Sequence, residues 1–187
     1  MKIFFSGKTW ISAFIALIMF NPAVFPEGNK KVAQLLTQAS QFLCAGDYNK
    51  TIETCNDALK IDPNCPAAYY VRGFAHRYQE KYDLAVLDFT QAVAIDPKYT
   101  SAYYGRAISF AYLGDYKSAL ADFDAAIRLD PRYAEAYFNR ARVYYDMEDY
   151  DKAWADLHKA ESLGIEEDMV YRGFVNRLKG ASGRNQR

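Results

Sequence analysis

Apolar and polar positions along most of the chain follow the spacing of short amphipathic helices. Tyr103, Ala107 and Phe110 fall four and three apart, and Ala119, Phe123 and Ala126 repeat the spacing in the next segment, so each set lies on one helical stripe. Between the stripes, Gly114-Asp115 pairs a residue that tolerates positive φ with a short polar one, which stops the first helix. Pro131 cannot continue the second helix and biases Asp130 away from helical torsions. The pattern predicts two helices joined by a tight turn.

That unit recurs. Asp62-Pro63, Asp96-Pro97 and Asp130-Pro131 are separated by a constant 34 residues. Gly46-Asp47-Tyr48, Glu80-Lys81-Tyr82, Gly114-Asp115-Tyr116 and Glu148-Asp149-Tyr150 keep the same interval. So do Ala68-Tyr69-Tyr70, Ala102-Tyr103-Tyr104 and Ala136-Tyr137-Phe138. Three markers in one phase define a repeat array, because a single helix pair buries too little surface to stand alone and neighbours must share a core.

These residues resemble the tetratricopeptide repeat family. The first helix of each unit carries a large residue, a small one and an aromatic (Tyr69, Gly73, His76; Tyr103, Ala107, Phe110; Tyr137, Ala141, Tyr144). The second carries Ala85, Phe89, Ala92; Ala119, Phe123, Ala126; and Ala153, Leu157, Ala160. The resemblance implies an all-α, right-handed solenoid over residues 29–180, with repeats at about 32–65, 66–99, 100–133 and 134–165. A capping helix at 167–179 and a disordered basic tail at 181–187 follow. The first unit is degenerate, with Leu35, Ala39, Phe42, Thr51 and Cys55 where the others are regular; the fourth loses its proline at Leu163-Gly164-Ile165. In the closing helix Arg172-Gly173-Phe174 echoes Arg72-Gly73-Phe74.

Residues 1–28 differ in kind. Lys2 and Lys8 flank the start, then Trp10 to Phe20 runs without a charge until Asn21-Pro22, the order of a secretory signal. Such a run is about half the roughly 20 residues a bilayer span needs. The alternatives are a cleaved signal, an uncleaved anchor over residues 9–25, or an accessory N-terminal helix. The expected location is therefore exported, periplasmic or secreted, or anchored in a membrane.

Charge narrows the partners. Lys plus Arg equals Asp plus Glu at 23 each, which removes the basic excess that drives counterion release and speaks against nucleic acid. Catalytic and metal residues are not expected: the chain has only His76 and His158, no phosphate loop and no nucleophile–base spacing. No cofactor is implied. Cys44, Cys55 and Cys65 fit no zinc spacing and read as small apolar residues, with a single disulfide as the alternative if the chain is exported. Arg72, Arg106 and Arg140 share one repeat position and Asp88, Asp122 and Asp156 another, while the first unit has Gln38 and Thr54 there. Their joint presence predicts a bidentate ladder, within a repeat or between neighbours. Arg172, with no Asp after it, favours pairing with Asp156 of the preceding unit.

The concave positions implied by the resemblance should carry function. They are Tyr70, Phe74, Arg77 and Tyr78; Tyr104, Ile108 and Tyr112; and Phe138, Asn139, Arg142 and Tyr145. Tyrosine offers contact area at low rotamer cost and keeps a hydroxyl, which suits a peptide or helix of a partner protein. Some relatives in the family grip a terminal carboxylate with basic residues; here those positions hold Leu36, Ser40, Val71, Glu135 and Asn139, so that clamp is missing. The expected function is a non-enzymatic interaction scaffold. The alternative is a self-associating structural component of the cell envelope. Tyr104 and Tyr112 read as rings without a packing duty and hence as the best pointers to the site.

Overall fold

A computed structural model of the chain describes residues 27–166 and 168–183. The basic-then-apolar leader lies outside the described residues up to position 26, and so do residues 184–187 of the expected tail. Among the described residues no helix is long and apolar enough to cross a membrane.

Every described element is a helix: α1 (Glu27–Ala45), α2 (Tyr48–Ile61), α3 (Pro66–Tyr78), α4 (Tyr82–Ile95), α5 (Thr100–Leu113), α6 (Tyr116–Leu129), α7 (Ala134–Asp146), α8 (Tyr150–Ser162) and α9 (Met169–Ala181). They form the four helix-turn-helix repeats and the closing helix of an all-α solenoid. α1 starts at Glu27, within the stretch assigned to the leader, and α9 runs through Ala181 before Ser182 caps it.

The turn inside each repeat is the same device four times. Gly46, Glu80, Gly114 and Glu148 all take positive φ, at 79°, 61°, 79° and 63°. The next N–H then reaches back over the helix end: Asp47 to Phe42, Lys81 to His76, Asp115 to Phe110 and Asp149 to Tyr144. This is the Schellman closure, which satisfies carbonyls that the helix leaves orphaned. Asp47, Asp115 and Asp149 then cap the following helix, each accepting from the backbone N–H three residues on. Side-chain hydrogen bonds from Lys50, Ser118 and Lys152, with these backbone bonds behind them, hold the three carboxyls below their ordinary pKa.

The turn between repeats is fixed by the Asp-Pro pair. Asp62, Asp96 and Asp130 accept with Oδ1 from the backbone N–H two residues later, at 2.9–3.0 Å. Proline between them removes the donor that would extend the helix.

The described residues fall into two compact units, 27–105 and 106–183, dividing within α5. The first is centred on Phe89, whose side chain is fully buried among Ala39, Cys55, Val71, Phe74, Ala75, Ala85, Ala92 and Ala102. A Cβ on Gly73 would meet the Phe89 ring at 3.0 Å and one on Gly105 at 2.7 Å, so two helices approach that ring on bare backbone. The second unit is centred on Leu157, Phe174 and Leu178 with Phe138, Ala141, Ala153, Trp154 and Ala160. Here α9 buries Tyr171, Phe174 and Leu178, covering an apolar face that would otherwise meet water. Trp154 Nε1 donates to Ser182 Oγ at 3.1 Å, tying the end of α9 to α8.

Candidate functional site

In the first unit, α3 brings the four predicted residues of the second repeat onto one face. Tyr70 packs on Phe74 (centroids 4.8 Å apart) and on Tyr99 (5.0 Å), and Phe74 meets Phe89 edge-on at 5.5 Å. Tyr78 stacks on Tyr48 of α2 at 5.4 Å. Burial raises the Tyr70 phenol to about 12 and raises Tyr99 as well. Tyr70 and Tyr78 are thus both half-buried rings packed against the core of this unit. Tyr48 and Tyr99, which complete this cluster, escaped the sequence reading because the first is at a helix start and the second in an inter-repeat turn.

Arg77 lies over this cluster. Its guanidinium carbon is 4.5 Å from the Phe74 centroid and 5.1 Å from that of Tyr78, and only 9% of the residue is exposed. Its Nε is buried and has no hydrogen-bond partner.

Tyr104, in the first unit, is half-buried. In the second unit Ile108 is buried and Tyr112 half-buried. Both tyrosines make interactions of their own, so neither is a free ring.

Phe138 and Tyr145 of α7 also depart from the expectation of open groove rings. Phe138 is buried against Tyr171 (5.8 Å) and Phe174 (5.6 Å), and Tyr145 packs on Phe174 (5.6 Å) and Tyr150 (5.8 Å). The chain's own closing helix takes these two positions. Asn139 is buried with its amide donating to the Glu135 carbonyl, and the Arg142 guanidinium carbon is 6.0 Å from the Phe138 centroid. Burial raises the Glu135 carboxyl.

The Arg–Asp ladder forms within the second, third and fourth repeats. Arg72 contacts Asp88 through Nε and Nη2, Arg106 grips Asp122 at 2.6 and 2.8 Å, and Arg140 grips Asp156 at 2.7 Å twice. A second arm reaches the preceding repeat: Arg72 Nη1 donates to Asn56 Oδ1, and Arg140 Nη1 to Asp124 Oδ1. Asn56 and Asp124 were not singled out from sequence, although both stand 16 residues before their arginine. The expected pairing of Arg172 with Asp156 is replaced by that of Arg140; Arg172 is exposed. Burial depresses the Arg140 pKa, but the hydrogen bonds and charges of Asp156 and Asp124 outweigh it and leave the group raised.

His76 Nδ1 lies 2.9 Å from Asp88 Oδ2, so it extends the second rung, while His158 is exposed beside Trp154. Cys44, Cys55 and Cys65 are free thiols; burial raises Cys55 to about 12 and raises Cys65, which makes both poor thiolates. Among the described residues no group of His, Cys, Asp and Glu is placed to hold a metal.

Three stretches match family profiles: 66–99 a tetratricopeptide repeat, 107–148 a TPR repeat and 134–163 a tetratricopeptide repeat. No curated protein matches the chain in sequence. Among solved structures it is similar to TTC0263, a thermophilic TPR protein of Thermus thermophilus, at 26% identity over 82% of this chain and 84% of that one, TM-score 0.70. It is also similar to MamA 41-end from Desulfovibrio magneticus RS-1, at 21% identity over 82% and 86%, TM-score 0.72. The first TPR of Spaghetti (RPAP3) bound to the HSP90 peptide SRMEEVD is similar at 24% identity over 63% and 94%, TM-score 0.62.

Proposed function

The chain belongs to the tetratricopeptide repeat family, and from that premise we propose that it is a non-enzymatic scaffold that binds a peptide or helix of another protein. The observation that carries this reading is the α3 face, where half-buried Tyr70 and Tyr78 border Phe74 and a buried arginine. Rings of this kind present a fixed apolar surface with polar edges, so a docked side chain loses water while little rotamer freedom is lost by the scaffold. One structural neighbour holds a peptide, which supports the same use of the fold. Partner capture is assigned to Tyr78 and Tyr104 of the first unit, since Tyr70 is engaged with Phe74, Phe89 and Tyr99, and Phe138 and Tyr145 are covered by α9. Export or membrane anchoring through residues 1–28 is part of the proposal, and sequencing the N-terminus of the mature protein tests it.

The function test is affinity capture from the native cell with mass spectrometry, comparing wild type with a Tyr78→Ala/Tyr104→Ala variant whose helicity is checked by circular dichroism. Loss of a specific partner in the folded variant supports the reading. The same partners at the same yield refute it.

A further inference from the structure

Most of the buried or nearly buried arginines on the first helices of the repeats have a polar acceptor. Arg72, Arg106 and Arg140 each engage an aspartate through Nε and a terminal nitrogen. Arg142 reaches Asn139 Oδ1 through Nη1 at 3.4 Å. Arg77 is built into the protein differently. It stands five residues beyond Arg72 on α3, is 9% exposed, and among the described residues forms no ion pair with a carboxylate; its Nε is buried without an acceptor. Its surroundings are ring faces, Phe74 at 4.5 Å and Tyr78 at 5.1 Å, which attract a cation but accept no directed hydrogen bond of full strength. A buried guanidinium that lacks its acceptor bears a desolvation cost, and a chain that supplies aspartates to three other arginines leaves this one open.

We propose that Arg77 is a carboxylate-binding subsite, and that the partner segment docking on the α3 aromatic cluster presents an acidic group to it. The inference rests on the proposed scaffold function and names the chemistry of its ligand. The ring walls set the form of that ligand: an apolar residue against Tyr78 and Phe74 beside a carboxylate that accepts from the guanidinium. Charge complementarity is one-to-one, because this cluster holds one cation without its carboxylate. The positions of the family's basic clamp are Leu36, Ser40 and Val71 in this unit, so the subsite does not reproduce that clamp. Dispersed charge and a low local dielectric strengthen such a contact over one made in open water.

The test uses fluorescence anisotropy with the full chain and dye-labelled peptides as probes. One peptide contains Leu, Ala and Glu with an amidated C-terminus; the second replaces Glu by Gln; the third is the Gln peptide with a free C-terminal carboxylate. Wild type is expected to bind the Glu peptide about tenfold or more tightly than the amidated Gln peptide. That margin should vanish in Arg77→Met and shrink in Arg77→Lys, which keeps the charge and loses the planar fork. The affinity of the amidated Gln peptide should stay the same across all three proteins. If the free carboxylate alone restores the margin in an Arg77-dependent way, the acidic group is the partner's terminus rather than a side chain, and the subsite stands. A Glu margin that persists in Arg77→Met, or the absence of any margin in wild type, overturns the subsite while peptide binding by the scaffold survives. No binding by any peptide overturns the subsite and the peptide form of the scaffold reading together. Thermal unfolding separates a structural role: an Arg77 needed only for packing lowers the melting temperature of both variants, whereas an arginine without its acceptor leaves Arg77→Met at or above wild type.

Discussion

The closest approach in the first unit gives the sharpest stability test. Replacing Gly105 by Ala puts a methyl 2.7 Å from Phe89 Cζ and 2.8 Å from Cε1, about 1 Å inside normal carbon contact. The ring cannot retreat: it is fully buried, Gly73 closes on it from another helix, and Phe74 stands edge-on at 5.5 Å. Overpacking of this kind costs about 1–3 kcal/mol, while Gly to Ala inside a helix returns about 1 kcal/mol. The expected net loss is about 1 kcal/mol. Gly173 is the internal control, since the nearest atom to its added methyl is Arg177 Nη1 at 3.9 Å and the helix gain of about 1 kcal/mol should appear undiminished. Urea unfolding followed by far-ultraviolet circular dichroism at constant slope reads both. In a Phe89→Leu background the sign for Gly105→Ala should turn favourable, because the edge it strikes is gone. Equal stabilisation by Gly105→Ala and Gly173→Ala in the native background would refute the packing account.

The other expectations concern turns and charges. Gly114 adopts φ 79° with open space around it, so Gly114→Ala should cost about 1 kcal/mol from backbone strain alone, and Glu148→Gly, at φ 63°, should stabilise; denaturant midpoints check both. Arg140→Met leaves Asp156 buried without its cation and should cost about 3 kcal/mol, most of which returns in Arg140→Met/Asp156→Leu; thermal melts of the pair decide it. The Asp115 carboxyl is held below its ordinary 3.8 by its bond to Ser118, so its contribution is present above that pH and is lost as pH falls through the depressed folded value; stability against pH should fall less steeply there in Asp115→Asn.

The fold was legible because its markers are local. Asp-Pro ends a helix by the covalent geometry of proline, and Gly-Asp opens the next one, wherever they stand. Glu80 and Glu148 show the limit of that logic: nothing about glutamate announces positive φ, and only the repeat phase put them with Gly46 and Gly114. The site was less legible. Sequence phase placed Tyr70, Phe74, Arg77 and Tyr78 on one face, and the structure keeps them there. Depth along that face depends on what packs behind it, so Tyr70 went inward onto Tyr99, and Phe138 disappeared beneath Tyr171 and Phe174 of a helix outside the 34-residue phase. Gly105 reads as a weak helix residue until the Phe89 ring is seen against it.

The two-armed arginines make the array directional. Arg140 holds Asp156 in its own repeat and Asp124 in the one before, and Arg72 does the same with Asp88 and Asn56. In the first unit the corresponding place holds Gln38, which carries no such fork. Each of these forks thus fixes two spacings at once, that of the paired helices within a repeat and that from one repeat to the one before, so a change in either is felt at a single side chain.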